Sequence, residues 1–326
     1  MNKATYRASS DIALVKYWGK KDEELRLPEN GSVSMNLEGL NTTTTVEFDK
    51  KYLEDEVVIE GKKDGVEVDR VIEHLDRIRA LRETNLKAKV VSKNTFPKGT
   101  GLSSSGSGFT ALTMAGVKAL DLSLTEKELS ILARQGSGTA CRCVCGGFVE
   151  WKNGDKPETS YSETIFPADY WDIRDVVVVV DEGMKKISST QGHTTAQSSI
   201  LFKERQKKIG KKIEDLKEYI KNKDFSGFGE LVEREALEFH SVLLTSEPPL
   251  VAWYPGTVEV IHAVHELRNS GVECYFTINT GFNVHVLTLP NYEKRVKDKM
   301  EELSLVKKVI QTKVGDGPKE LSEHLF

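Results

Sequence analysis

Between residues 68 and 83, VDRVIEHLDRIRALRE, the apolar positions Val71 or Ile72, Leu75, Ile78 and Leu81 recur at three- and four-residue intervals. That spacing puts them on one face and predicts an amphipathic helix. Ile209, Ile213, Leu216 and Ile220 repeat the pattern within 200–222, where lysines mix with Glu and Asp at the other positions. Mixed charge of this kind describes a solvated helix rather than a basic binding face. Helices are also predicted over 226–244, 256–270 and 291–303, with SEPP (246–249) breaking the pattern between the first two.

Strand signals fill the intervals. SVSMNL (32–37) and TTTTVEF (42–48) are rich in Thr and Val with partial alternation, and VVIEG (57–61) and LKAKVVSK (86–93) add two more candidates. FVEWKNGD predicts a hairpin turning at NGD. RDVVVVVDEG (174–183) reads as a strand covered on both faces, since its apolar run does not alternate. CYFTINTGFNVHVLTL (274–289) reads as two strands around an Asn-Thr-Gly turn, with a last strand near 305–312.

The strand at 86–93 leads into GTGLSSSGSG (99–108), where eight of ten residues are Gly or Ser. Linkers and ligand loops share that composition. Here the flanks decide, because Phe109, Leu112, Ala115 or Gly116, and Leu120 continue at helical spacing. A strand enters the loop and a helix leaves it. A helix N-terminus presents unsatisfied N–H groups and positive potential, and glycines let backbone close around an anion. Phosphate binding and a tight helix-capping turn are the two readings. No GxxxxGK[ST], GxGxxG or GxSxG motif is present.

The chain of 326 residues is long enough for two domains or one large one. Its formal charge of −4 provides no global basic field, so nucleic acid is not expected as a partner. The longest apolar run, VVVVV at 176–180, is far too short to cross a bilayer, and MNKATYRASSDIALVKYWGKK holds no uninterrupted signal-like core. A cytoplasmic protein without membrane association is the expectation. Cys141, Cys143 and Cys145 alternate as on one strand face, poorly placed for bridges, and with Cys274 are expected as reduced thiols. Only one other cysteine and no nearby histidine could complete a metal set. His262 and His265 share a helix face without an HExxH pattern, and Trp253 and Tyr254 precede Pro255-Gly256 as packing for a turn.

Two further segments carry chemistry. GSGTACR (136–142) combines small residues with Arg142, whose planar fork suits a carboxylate or phosphate; the plainer reading is a small-residue element start with a surface arginine. KYWGKK (16–21) sets two aromatics between Lys16 and Lys20, and could equally be an edge strand with snorkelling lysines.

Taken together, ASSDIALVKYWGK, NGSVSMNL, FPKGTGLSSSGSG, ARQGSGTACR with CGGFVEW, KKISSTQG and VGDGP resemble the diphosphomevalonate decarboxylase family. That family lies within the galactokinase, homoserine kinase, mevalonate kinase and phosphomevalonate kinase (GHMP) superfamily. The resemblance runs in order from about residue 8 to 317. It implies an α/β (α+β) two-domain GHMP-kinase-like fold with its site in the interdomain cleft. The expected domains are 1–180, with the phosphate-binding loop, and 181–326. The resemblance also implies ATP, Mg2+, a phosphorylated mevalonate substrate and a homodimer.

Roles follow by position from the same resemblance. Gly99, Gly101, Ser103, Ser104, Ser105, Gly106 and Ser107 match the nucleotide phosphate loop, with Ser104 and Ser105 facing phosphates and magnesium. Tyr17, Trp18, Gly19 and Lys20 match a substrate-binding stretch, and Lys16 the lysine near the reacting hydroxyl. Ser137, Gly138, Thr139, Ala140, Cys141 and Arg142 match the segment around the mevalonate moiety, where the arginine grips the carboxylate; Ser137 also counts among the catalytic candidates. Ser189 and Thr190 match a segment contacting the substrate's phosphates.

The chain departs from the family pattern at four places. Asn279, in TINTGFN, occupies the position of the family aspartate beside the 3-hydroxyl, and an amide neither accepts a proton at neutral pH nor carries charge. The loop is richer in serine than the alanine-rich family version. Asp11 stands where family members usually carry asparagine, which is unfavourable near phosphate unless a cation neutralises it. GHTT (192–195) occupies a segment where some members place an arginine. The readings are a decarboxylase acting on 5-diphosphomevalonate, one acting on the 5-phosphate or 3,5-bisphosphate, a 3-kinase, and an inactivated or purely binding form.

Overall fold

The computed structural model describes residues 2–96, 101–183 and 189–326, with the side chains of 189–191 outside the description. β1 (Lys3–Val15) leads through the short β2 (Lys20–Asp22) and β3 (Leu27–Pro28) to β4 (Ser32–Asp49) and β5 (Glu56–Ile59). Next come α1 (Val66–Arg82), β6 (Lys87–Asn94), α2 (Ser104–Ala119), α3 (Glu126–Gly136) and the one-turn α4 (Ala140–Cys143). β7 (Phe148–Trp151) and β8 (Ser162–Phe166) close this half. Its sheet runs β1-β4-β6-β5, with β7 paired to β4 and β8 to β7.

The second half begins with β9 (Arg174–Val179), α5 (Ser189–Thr194), α6 (Phe202–Asn222), α7 (Phe225–Leu244) and α8 (Pro255–Asn269). It continues with β10 (Cys274–Thr277), β11 (Val284–Thr288), α9 (Pro290–Glu301) and β12 (Lys308–Lys313). These strands form an antiparallel sheet in the order β10-β11-β9-β12. The final strand, β13 (Lys319–Leu321), returns to pair with β1. β8 of the first sheet ends at Phe166, and the second sheet begins at Arg174 with β9, whose valine run pairs with β11 and β12.

The valine run is buried on both faces, as its lack of alternation requires. Val176 and Val178 pack with Val260, Val264 and Met300 beneath α8 and α9. Val177 points the other way, into a core shared with Ile12, Leu14 and Met35 of the first sheet and Ile213 and Leu216 of α6. One apolar core therefore joins the two halves. A separate core holds α1, α2 and α3 against the first sheet through Leu75, Ile78, Leu112 and Leu132.

Local rules explain most helix boundaries. α3 opens with a capping box in which Glu128 N–H donates to Thr125 Oγ1 at 3.3 Å and Thr125 N–H to Glu128 Oε2 at 2.8 Å. α7 is capped by Asp224, which accepts from Gly227 N–H at 3.0 Å. Three expectations change. Residues 32–48 form one long strand whose pairing with β1 is interrupted around Glu38–Leu40, with Gly39 at φ 84°, so the apparent gap is an irregularity within β4. β7 and β8 pair antiparallel, but through residues 152–161 and a 3-10 turn (Pro157–Thr159) rather than a tight NGD turn. Cys141 and Cys143 lie in α4 rather than on a strand; all four cysteines are buried and unbridged.

Candidate active site

β1 ends at Val15, and the chain turns into the cleft carrying Lys16, Tyr17 and Trp18. Opposite stand the start of α2 and the turn before α4, and the loop after β10 closes the space with Asn279 and Thr280. The open cavity between them is about 260 Å³.

Lys16 is 2% exposed. Its ammonium group donates to Thr277 Oγ1 at 2.5 Å and to the Ala13 carbonyl. Burial is the main force lowering its pKa to about 7, aided by the positive charges of Arg142 and Arg205 and opposed by Glu235 and Asp11. Glu235 is fully buried against Arg205 and Lys212, and also accepts from the Lys16 backbone N–H at 3.2 Å.

Arg142 is buried, not superficial. Its Nε donates to Asp11 Oδ2 at 2.7 Å and its Nη1 to Ser32 Oγ at 3.0 Å. Burial by itself would lower the arginine's pKa, but the charge and hydrogen bond of Asp11 outweigh it and the net shift is upward. No hydrogen bond from Nη2 to another described residue is present, and Arg142 lines the cavity, so one edge of the fork remains for an anion.

The aromatic wall is built on His193. Its ring stacks on Tyr17 at 4.4 Å and lies 4.2 Å from Trp18, and Nδ1 accepts from Gly19 N–H at 3.1 Å. Trp18 packs edge-on to Phe239, and its indole N–H is a buried donor without a protein acceptor among the described residues. Lys20, with a nearly buried stem, pairs with Glu23 at 2.5 Å.

α2 supplies the anion-binding end. Ser103 precedes its first turn in the left-handed region at φ 55°, no side-chain cap is present among the described residues, and the first turn has no acidic residue. Gly101, Ser103, Ser104 and Ser105 line the cavity, and Ser137 Oγ donates to Ser105 Oγ at 3.3 Å. Gly138 and Thr139 line it as well.

Other expected site residues face elsewhere. Ser107 turns to the sheet, 2.7 Å from Thr42 Oγ1, and Gly106 packs beside Cys143 and Thr139. Ala140 and Cys141 are buried behind the turn, where the Ala140 carbonyl accepts from Thr110 and Cys141 Sγ donates to the Gly138 carbonyl. Gly19 acts through its backbone N–H alone. Gly99, and the side chains of Ser189 and Thr190, lie outside the described residues.

The structure adds Arg26, Glu67, Arg70, His193 and Phe239 to the cavity. Arg26 Nε and Arg70 Nη2 donate to the carbonyls of Gln135 and Gly136 at 3.0 and 2.8 Å, which fixes two cations beside the entrance to α4. On helical spacing Arg70 looks like an ordinary polar position of α1. His193 carried a weak signal, lying in the GHTT segment that departs from the family pattern. A smaller apolar slot adjoins the serines, sharing Glu67 and Arg70 and continuing past Val71, Val90, Phe109 and Leu112.

Residues 8–162 match the Diphosphomevalonate decarboxylase-like N-terminal domain, and residues 175–304 match the Mevalonate 5-diphosphate decarboxylase C-terminal domain. The chain belongs to the diphosphomevalonate decarboxylase family. It is 33% identical to the diphosphomevalonate decarboxylase of Candida albicans over 100% of this chain and 99% of that protein. It is 34% identical to the phosphomevalonate decarboxylase of Haloferax volcanii, covering 91% of each. The solved complex of MDDEF with MVAPP, AMPPCP and magnesium superposes with a TM-score of 0.91 at 36% identity, over 98% of both chains. The two-domain mixed α/β architecture of this decarboxylase family is therefore the architecture of this chain. No described helix is long and apolar enough to cross a membrane.

Proposed function

We propose that the protein is an ATP-dependent decarboxylase converting (R)-5-diphosphomevalonate to isopentenyl diphosphate, with phosphorylation of the 3-hydroxyl preceding loss of phosphate and carbon dioxide. The observation that carries this reading is the convergence of Arg142, Lys16 and the serine-bearing start of α2 on one cavity. Those groups supply a carboxylate grip, a group at the reacting oxygen and a phosphate cradle.

The residues fit a nucleotide and magnesium. The uncapped start of α2 suits phosphates, and the adjoining slot has apolar walls for a base. Among the described residues no cluster of three His, Cys, Asp or Glu side chains could hold a metal on its own. Glu67 and the hydroxyls of Ser104 and Ser105 fit a magnesium ion that is held mainly by phosphate oxygens. When bound, the ion offsets charge on the transferring phosphoryl group.

Within this reading the free edge of Arg142 orients the substrate carboxylate, while Asp11 and Ser32 fix the guanidinium plane. Ser137, Gly138 and Thr139 shape the floor beneath the mevalonate carbons. Tyr17, Trp18, Lys20 and the segment of Ser189 and Thr190 hold the phosphorylated end. Arg142 then favours the bound carboxylate, and removing water from this wall strengthens every charge interaction inside it. A homodimer in the cytoplasm belongs to the same proposal, on the strength of the family resemblance.

Asn279 favours a second reading. It lines the cavity, its backbone carbonyl accepts from His240 Nε2 at 2.9 Å, and its side-chain amide offers no base. A substrate already phosphorylated at O3 needs none, so mevalonate 3,5-bisphosphate would be decarboxylated without ATP. The deciding experiment incubates the protein with mevalonate, its 5-phosphate, 5-diphosphate and 3,5-bisphosphate, with and without ATP-magnesium. ADP and carbon dioxide from the 5-diphosphate support the first reading. Carbon dioxide from the bisphosphate alone supports the second, and ADP without carbon dioxide makes the protein a 3-kinase.

A further inference from the structure

We infer that Lys16, in its neutral amine form, accepts the proton of the substrate's 3-hydroxyl during phosphoryl transfer. The inference rests on the ATP-dependent reading above and adds a catalytic residue to it.

The geometry leaves one direction at Lys16 Nζ open to the substrate. A neutral lysine nitrogen has two N–H donors and one lone pair. Both donors have acceptors in the protein, the Ala13 carbonyl and Thr277 Oγ1. Lys16 nevertheless lines the cavity, so the remaining direction serves the substrate. The other side chain expected beside the 3-hydroxyl is Asn279, which cannot take a proton.

The surroundings keep the neutral form accessible. Arg142 on α4 and Arg205 on α6 disfavour a charged amine, as does burial. Glu235 on α7 and Asp11 on β1 favour it, but each is already paired with an arginine. His240 on α7 contributes no competing charge, because burial holds its pKa near 3. The balance lowers the lysine to about 7, well below an ordinary amine, which keeps the free base within reach near neutral pH. An aspartate at 279 would add a carboxylate to the same cavity and hold the amine protonated.

The step balances. The O–H bond of the 3-hydroxyl breaks and an N–H bond forms on Lys16, giving an ammonium ion. The oxygen attacks the γ-phosphorus of ATP, and the bond to the β-γ bridging oxygen breaks to release ADP. The new ammonium then stands beside the 3-phosphate and offsets its charge as the phosphate leaves with the C3–O bonding pair, while the electrons of the breaking bond to the carboxylate form the carbon–carbon double bond and release carbon dioxide.

The test is the pH dependence of ADP release from ATP-magnesium and 5-diphosphomevalonate, measured as kcat/KM between pH 5.5 and 9. We expect kcat/KM to rise about tenfold per pH unit below 7 and to level off above it. Asn279→Asp should move that limb down by two or more pH units, into the carboxylate range. Lys16→Arg, which keeps the charge but not the base, should cost at least about a hundredfold. Circular dichroism and calorimetric binding of the 5-diphosphomevalonate show whether that variant is folded and occupied. Independently of turnover, NMR titration of the 13Cε-labelled lysine, assigned by its loss in Lys16→Arg, should show a midpoint near 7 that rises in Asn279→Asp. A flat profile, a lysine titrating above 9, or a Lys16→Arg rate within tenfold of the parent overturns the proposal while ADP and carbon dioxide production keeps the decarboxylase reading. No ADP from any phosphorylated mevalonate at any pH removes that reading, and the proposal with it.

Discussion

Asp11 and Arg142 form a buried ion pair: Nε donates to Oδ2 at 2.7 Å, with the two side chains 0% and 2% exposed. The second carboxylate oxygen accepts from Ser103 Oγ at 2.6 Å. The acid that looked unfavourable beside a phosphate loop is thus neutralised by the arginine expected to grip the substrate, and it joins that arginine to the start of α2. Removing one partner of such a pair leaves a buried charge without compensation. Asp11→Ala should therefore cost about 3–5 kcal/mol in urea unfolding. Asp11→Asn retains a polar acceptor and should cost less, while raising KM for the carboxylate-bearing substrate more than it lowers kcat. Equal losses from both substitutions would show that the pair contributes little.

Gly101 is held at φ 91°, and a Cβ there would lie 2.7 Å from Gly281 Cα and 3.0 Å from Gly281 N. Both are backbone atoms, so no rotamer change relieves the clash, and the contact joins the phosphate loop to the loop carrying Asn279. Gly101→Ala should destabilise the fold by about 1–3 kcal/mol and raise KM for ATP. Gly108, four residues into α2 with open space where a Cβ would go, is the control for stability alone, since it lines the apolar slot. Gly108→Ala should be neutral or stabilise by up to about 1 kcal/mol. Thermal unfolding and initial rates measure both.

His74 and His240 should make the protein acid-sensitive above the range where carboxylates titrate. Burial, reinforced by neighbouring positive charge, lowers each to about 3 in the folded chain. Unfolded, each titrates near 6.5, so below that pH the unfolded state takes up protons that the folded state refuses. Stability is therefore lost as pH falls from about 6.5 towards 3. Between pH 7 and 5 the loss is about 2 kcal/mol for each histidine. His74→Gln should flatten the urea-midpoint difference between those pH values by about half, whatever its cost at pH 7. An unchanged slope would contradict the assignment.

The four thiols should be inert in the native protein. Burial raises Cys141 and Cys274 to about 12, and Cys143 and Cys145 also lie above their ordinary value. Thiolate is the reactive form, and here it is both scarce and inaccessible. Brief maleimide labelling at pH 7.5 should modify fewer than one cysteine per folded chain and all four in urea. Rapid native labelling would contradict the buried assignment.

The elements legible in the sequence were those set by local periodicity. Leu75 and Ile78 of α1, the Ile209–Ile220 face of α6 and the unalternating valines of β9 each declare their burial through neighbours within a few residues. The strand–loop–helix order around Ser104 was readable for the same reason. In the site, KYWGK and GSGTACR could be matched because their order along the chain carries the resemblance. The continuity of β4 was not readable, since only its partner strand shows that Gly39 is an irregularity rather than an end. Nor could the sequence bring Arg70 of α1 and His193 of α5 to one cavity, or show that Arg142 is paired with a residue 131 positions away. The sequence determined which groups are available. Only the tertiary structure decided their surroundings: the burial of Lys16 beside two arginines, which lowers its pKa to about 7, depends on segments brought together by folding.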